Sequence, residues 1–159
     1  MVRSDKMNAI DSAMFSALTE AGKALCADRA VRAVVLSGDG RAFCAGLDME
    51  SFAAMAGPPR ASASPAQNLF ERGPSGANRA QQAAWIWQEV PVPVIAAVHG
   101  RALAGGCGLI TACDHVVATP DATFGYPEVK IGFVAAIVAP LLVRAIGDIS
   151  GGLRAAAAE

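Results

Sequence analysis

Two apolar runs, RAVVLSG (residues 32–38) and VIAAVHG (residues 94–100), limit what this chain can become, because they end alike. Each is of strand length, closes on glycine and hands over to a small-residue turn. The first continues as GDGR and AFCAGLDM, leading toward a helical segment. The second continues as GRALAGGCGLITACDH, which carries Gly100, Gly105, Gly106 and Gly108 within nine positions at the mouth of an apolar, helix-periodic stretch. Glycine inside a helix costs about 1 kcal/mol relative to alanine, so this usage requires a backbone reason. Strand, turn and helix, twice over, predicts an α/β chain.

The remaining elements follow from periodicity. Ile10, Met14, Leu18 and Leu25 share roughly one face of an amphipathic first helix that Ser4 or Asp5 could cap. ANRAQQAAWIWQEV (residues 77–90) predicts a helix stopped by PVP, and HVVAT a third short strand before a loop, FGYPEVKIG. VAAIVAPLLVRAIG predicts a helix that Pro140 must begin, kink or interrupt. Between Gly57 and Gly76 the sequence is rich in Pro, Ser, Ala and Gly without periodicity, and reads as a mobile surface loop.

A chain of 159 residues, 53% hydrophobic and 17% charged, suits a single domain with one sizeable core. Thirteen Lys and Arg against fourteen Asp and Glu give a formal charge of -1 with no block of like charge, which excludes a phosphate-tracking surface and argues against nucleic acid. No apolar segment has signal-peptide form at the N-terminus, and FVAAIVAPLLV is far shorter than the ~20 residues of a membrane span. Cys26, Cys44, Cys107 and Cys113 form no CxxC pair. Reduced, mostly buried thiols in a cytoplasmic protein are the expectation, with no metal site.

Free N–H groups at a helix start favour negative charge, so two such turns could aim at one oxygen. A phosphate cradle is the less suitable use, since GRALAGGCG lacks the Lys-Ser/Thr pair of a P-loop and does not fit GxGxxG in its strand-linked register.

FCAGLDM, VIAAVHGRALAGGCGLITACD and FGYPEVKIGF, in this order and spacing, resemble the crotonase (enoyl-CoA hydratase/isomerase) family, from about Arg3 to Asp148. The resemblance implies a spiral of strand, strand and helix turns that binds an acyl-CoA thioester, with coenzyme A part of the substrate and no separate cofactor. It places the two oxyanion-hole amides on Leu47 and Gly105. Ala45, Asp48 and Met49 match the segment that lies along the CoA, and Gly106 and Gly108 the glycine turn beside the substrate; tight helix-to-strand packing would equally select glycine at the last two.

Hydratases of this family generally carry two glutamates. Glu128, in YPEVK, matches one; the other position is Gly108. A carboxylate beside an apolar acyl pocket has a raised pKa and can shuttle a proton. The competing reading of Glu128 is a surface ion pair with Lys130. A lone glutamate suits double-bond isomerisation, and hydration by one group acting as base and then acid is also chemically allowed. The wording of GGxGL and GYPEVKIGF favours a hydratase of fatty acid metabolism, with an enoyl-CoA isomerase next. Asp114 reads as a local cap or pair, His115 as a partly exposed histidine, Trp85 and Trp87 as packing residues, and Cys107, Cys113 and His115 match no common zinc spacing.

Against the family pattern, the chain lacks the first hairpin and the later helices that complete the fold and build a trimer or dimer of trimers. Residues 149–159, from ISGGLRAAAAE, resemble no family segment, which makes 1–148 a partial acyl-CoA-binding core. A non-catalytic remnant is accordingly a third reading, with core edge and oligomer surface expected to be exposed.

Overall fold

The computed structural model describes residues 1–50, 72–73, 75–132 and 138–146. Its elements are helix α1 (Ser12–Ala27), strand β1 (Val34–Ser37), helix α2 (Arg79–Glu89), strands β2 (Val94–Val98) and β3 (Arg101–Leu103), helix α3 (Gly105–Ala112), strands β4 (His115–Ala118) and β5 (Thr123–Gly125), and helix α4 (Ala139–Ile146). Short 3-10 turns occupy Ser4–Lys6 and Pro127–Ile131. The expected loop from Gly57 to Gly76 and the tail 149–159 fall largely or wholly outside the described residues.

Strands β1, β2 and β4 form one parallel sheet in the order β1-β2-β4, with Val34 opposite Val94 and Ile95 opposite His115. β2 alternates buried and part-buried positions at the centre of the sheet, where Val94, Ala96 and Val98 enter the core. Asp114 locks the β2–β4 register: its N–H donates to the Val94 carbonyl at 2.9 Å, and its Oδ2 accepts from the Val94 N–H at 2.8 Å. β4 is the exposed outer strand, with Val116 and Val117 both open to solvent.

The second handover is richer than the sequence suggests. After β2, only His99 and Gly100 intervene before the chain enters β3, which leaves the first sheet and pairs in parallel with β5. The expected strand–turn–helix is thus strand–strand–helix. FGYPEVKIG, expected as a loop, contains the end of β5 and a 3-10 turn. Three residues of strand carry no readable alternation, and β5 exists because β3 supplies its hydrogen bonds.

Helix α1 begins later than expected. Its cap is Asp11, whose side chain accepts from the Met14 N–H at 2.8 Å, and neither Ser4 nor Asp5 caps it. Met7 and Asn8 have φ of 51° and 55°, which turns the chain between the first 3-10 turn and Ile10. Ile10 then forms a parallel bridge with Leu47 and lies outside the helix. Asn8 is fully buried and holds this entry in place: its Nδ2 donates to the carbonyls of Asp39 and Ala42, each at 2.8 Å, and its Oδ1 accepts from the Arg3 N–H.

Helix α2 starts on a capping box in which Asn78 and Gln81 satisfy one another's exposed amides. It packs on α1 and α3, with Trp87 buried and donating to the Ala83 carbonyl, and Trp85 partly buried against the core. Pro140 lies in the first turn of α4 and begins it, where a missing N–H has no intrahelical partner to lose. α4 rests on α3, with Val138 and Leu141 buried. No helix among the described residues is long and apolar enough to cross a membrane.

Candidate active site

Three turns meet where β3 runs into α3. The first holds Phe43 to Asp48. Cys44 bridges to Ala102, its N–H donating to the Arg101 carbonyl and its carbonyl accepting from the Leu103 N–H at 2.9 Å. Three residues on, Ile10 donates to the Gly46 carbonyl at 2.7 Å and accepts from the Asp48 N–H at 3.0 Å. Because Ile10 takes the groups on both sides of Leu47, the Leu47 N–H points away from that bridge. It donates to none of the described groups.

The second turn is Leu103 to Cys107. Ala104 stands at the N-cap of α3 with φ 49° and ψ -114°, a conformation that suits glycine, and it provides no side-chain cap. The first intrahelical bond is from the Gly108 N–H to the Ala104 carbonyl, so the amides of Gly105, Gly106 and Cys107 have no intrahelical acceptor. Among the described residues the Gly105 N–H, like that of Leu47, has no acceptor. The two turns touch: a Cβ on Gly46, whose φ is +89°, would stand 2.8 Å from the Ala104 Cβ, and one on Gly105 would lie 4.0 Å from the Gly46 Cα. Two N–H groups without a described acceptor, in adjoining turns and one of them at a helix start, favour negative charge.

The third turn brings the carboxylate. Pairing of Leu103 with Gly125 and a 2.9 Å bond from the Ala104 N–H to the Gly125 carbonyl place the end of β5 against the start of α3. Tyr126 and Glu128 follow at once. Cys107 faces them from α3, its thiol donating to the Ala102 carbonyl at 2.9 Å. Burial pushes that thiol up to about 11, and the nearby Glu128 charge adds to the shift. Cys44 and Cys113 are raised as well, to about 11 and about 12, chiefly by burial, so none of these thiols is a ready nucleophile.

Glu128 is part-buried, with Oε2 fully enclosed and without a hydrogen-bond partner. Desolvation raises its pKa above the ordinary 4.5, opposed by a hydrogen bond from its own backbone. Among the described residues it makes no ion pair, and Lys130 is exposed, so the expected surface pair does not form. The Tyr126 phenol is raised above its ordinary value, first by burial, then by the Cys107 and Glu128 charges and by the approach of the Cys107 thiol, and remains protonated well above neutrality.

The other expected substrate contacts divide. Met49 is 66% exposed and begins a helical turn beyond Leu47, while Ala45 is part-buried and donates to the Met7 carbonyl. The Asp48 side chain is turned inward, which corrects its expected place along a CoA. It pairs with Arg3 at 2.7 Å, accepts from the Glu50 N–H and is 5% exposed. Gly106 and Gly108 are fixed by packing: a Cβ on Gly106 would stand 2.7 Å from the Cys44 carbonyl oxygen, and one on Gly108 would stand 2.3 Å from Val138 Cγ1. Those faces are closed to a ligand, although the Gly106 N–H remains at the open helix start. His115 is exposed.

Comparison with known proteins finds relatives across most of the chain. The enoyl-CoA hydratase/isomerase family profile matches residues 1–151. A Thermus thermophilus protein named as a candidate enoyl-CoA hydratase is 42% identical over 148 residues, covering 91% of this chain and 53% of that protein. The mitochondrial Delta(3,5)-Delta(2,4)-dienoyl-CoA isomerase of Mus musculus is 34% identical over 133 residues, covering 84% of this chain and 40% of that one. A crystal structure of an enoyl-CoA hydratase from Mycobacterium smegmatis superimposes with a TM-score of 0.79 at 36% identity, covering 99% of this chain and 56% of that chain.

The architecture is therefore crotonase-like, a spiral of strand, strand and helix turns of which this chain carries a part. The chain belongs to the enoyl-CoA hydratase/isomerase family. It spans about half the length of the relatives it matches.

Proposed function

We propose that this chain carries the reacting half of an enoyl-CoA hydratase site, in which the Leu47 and Gly105 amides hold the thioester oxygen and Glu128 is the single acid/base group. The observation that carries this reading is the enclosed Glu128 Oε2, without a hydrogen-bond partner, beside the same helix start that leaves its amides open. Drawing electrons from the conjugated double bond onto the thioester oxygen makes an enolate, and fixed N–H donors stabilise that charge more than they stabilise the neutral carbonyl. Glu128 as carboxylate removes a proton from water as the water oxygen bonds to C3. The same proton, returned to C2, collapses the enolate and leaves a 3-hydroxyacyl thioester. Ala45 and Met49, on the approach to Leu47, are the residues offered to the CoA portion.

Isomerisation of a 3-enoyl to a 2-enoyl thioester is the second reading, favoured by Gly108. Its open side is filled by Val138, so α3 presents an apolar wall where a second carboxylate would stand. Shuttling one proton from C2 to C4 needs only Glu128 and the two amides.

The test follows loss of the conjugated enoyl-thioester absorbance and 3-enoyl to 2-enoyl conversion in parallel, for the wild type and Glu128→Gln. Hydration that falls about 10²- to 10⁴-fold in the variant supports the first reading. Equal rates would remove Glu128 from the mechanism, and a wild type inactive in both assays would leave a binding remnant.

A further inference from the structure

The structure assigns a role to Tyr126 that rests on the hydratase reading: we propose that its phenol positions the attacking water together with Glu128, as the second polar group that α3 does not provide. Tyr126 Oη and Glu128 Oε2 are enclosed and lack any hydrogen-bond partner. Folded proteins leave few such atoms unpaired, and two on one short turn point to a small ligand that bonds to both.

Among the described residues only the Cys107 thiol approaches the Tyr126 phenol, an approach that raises the phenol's pKa without meeting hydrogen-bond geometry, and nothing takes Glu128 Oε2. The Cys107 thiol, which faces both residues, donates to the Ala102 carbonyl at 2.9 Å, and its longer contact at 3.6 Å is to the Gly125 carbonyl. The next inward position along α3 is Gly108, whose missing Cβ direction ends at Val138 Cγ1. Pro127 separates the two residues and restricts the backbone between them, which places both side chains on one short turn.

The chemistry fits a water. Its two O–H groups can be taken by Glu128 Oε2 and Tyr126 Oη, which leaves a lone pair for C3 of the enoyl group. As the oxygen–carbon bond forms, the O–H bond toward Glu128 breaks and its proton goes to that carboxylate. The carbon–carbon π electrons move to the thioester oxygen. Return of the proton from Glu128 to C2 restores the carboxylate, so H and OH have been added with nothing oxidised or reduced. The neutral phenol exchanges no proton; it holds the water and can then donate to the new hydroxyl oxygen. Tyr126 is thus a positioning residue for water, with no role in moving a double bond.

Tyr126→Phe in the full chain tests this, assayed for 2-enoyl-CoA hydration, for 3-enoyl to 2-enoyl isomerisation and for Tm. Hydration kcat should fall about 10- to 100-fold, with KM and the isomerisation rate each within about 3-fold of wild type. Tm should hold, because the deleted hydroxyl loses only the loose approach of the Cys107 thiol. Unchanged hydration, an equal fall in both reactions, or a fall in kcat that tracks a loss of Tm would each overturn the assignment. If isomerisation is too slow to measure, the split between kcat and KM together with Tm makes the same decision. A wild type that isomerises without hydrating overturns the hydratase reading itself, and this role with it, a result distinct from a Tyr126→Phe enzyme that hydrates normally.

Discussion

Gly108 and Val138 should be energetically coupled, and a four-protein cycle measures it. An added methyl at position 108 would stand 2.3 Å from Val138 Cγ1, far inside van der Waals contact, with Val138 itself 3% exposed. Gly108→Ala gains about 1 kcal/mol of helix propensity and meets an overpacking cost of about 1–3 kcal/mol, for a net loss near 1 kcal/mol. Val138→Ala alone removes two buried methyl groups and should cost about 2 kcal/mol. In the double variant the new methyl enters the space left by Cγ1, so the overpacking disappears and part of the cavity is filled. A favourable coupling of about 2 kcal/mol is expected from urea unfolding of the four proteins at constant m-value. Coupling under about 0.5 kcal/mol would refute the idea that Val138 closes the position where a second carboxylate would sit. The same geometry predicts that Gly108→Glu folds stably only in the Val138→Ala background.

Ala104→Gly should stabilise the chain by up to about 1 kcal/mol, since relief of a backbone held at φ 49° outweighs the extra unfolded-state freedom of glycine. A loss of stability in denaturant melts would contradict that strain. Asp48→Ala should cost roughly 2–3 kcal/mol, because it removes the buried partner of Arg3 and the cap on the Glu50 N–H; a denaturation midpoint within error of wild type would show the pair to be idle. For Glu128, the folded pKa lies above the unfolded one, so the native state holds more protons in the interval between them. Stability therefore falls as pH rises from the ordinary 4.5 to the raised value, and Glu128→Gln should abolish that slope. The acid limb of hydration kcat/KM should lie above 4.5 for the same reason, and a limb at the ordinary value would show Glu128 to be solvated in the working enzyme.

Much of the site was legible in the sequence because its signals are local. A β-branched run closing on glycine, followed by small residues and a helix-periodic stretch, describes its own backbone, and β1, β2 and the glycine helix were visible in this way, whereas β3 was read as a turn. The Asn78–Gln81 capping box and the stop at PVP are equally local. The start of α1 was not, because Asp11 becomes the cap only once Met7 and Asn8 turn the chain and Ile10 is drawn to Leu47. Strand β5 was hidden for a similar reason: it is too short to show a period, and it forms by pairing with β3.

The glycines separate the two kinds of information most clearly. Sequence alone determined that positions without side chains were needed at Gly105, Gly106 and Gly108, and that Glu128 was the one glutamate in the matching motifs. Only tertiary structure decided which glycine serves which purpose, closing Gly106 on Cys44 and Gly108 on Val138 while leaving the Gly105 amide open. It likewise turned Asp48 inward to Arg3 and enclosed Tyr126 beside Glu128. Backbone conformation is set within a few residues and can be read along the chain, whereas burial and unpaired hydrogen bonds depend on what distant segments bring to the same place.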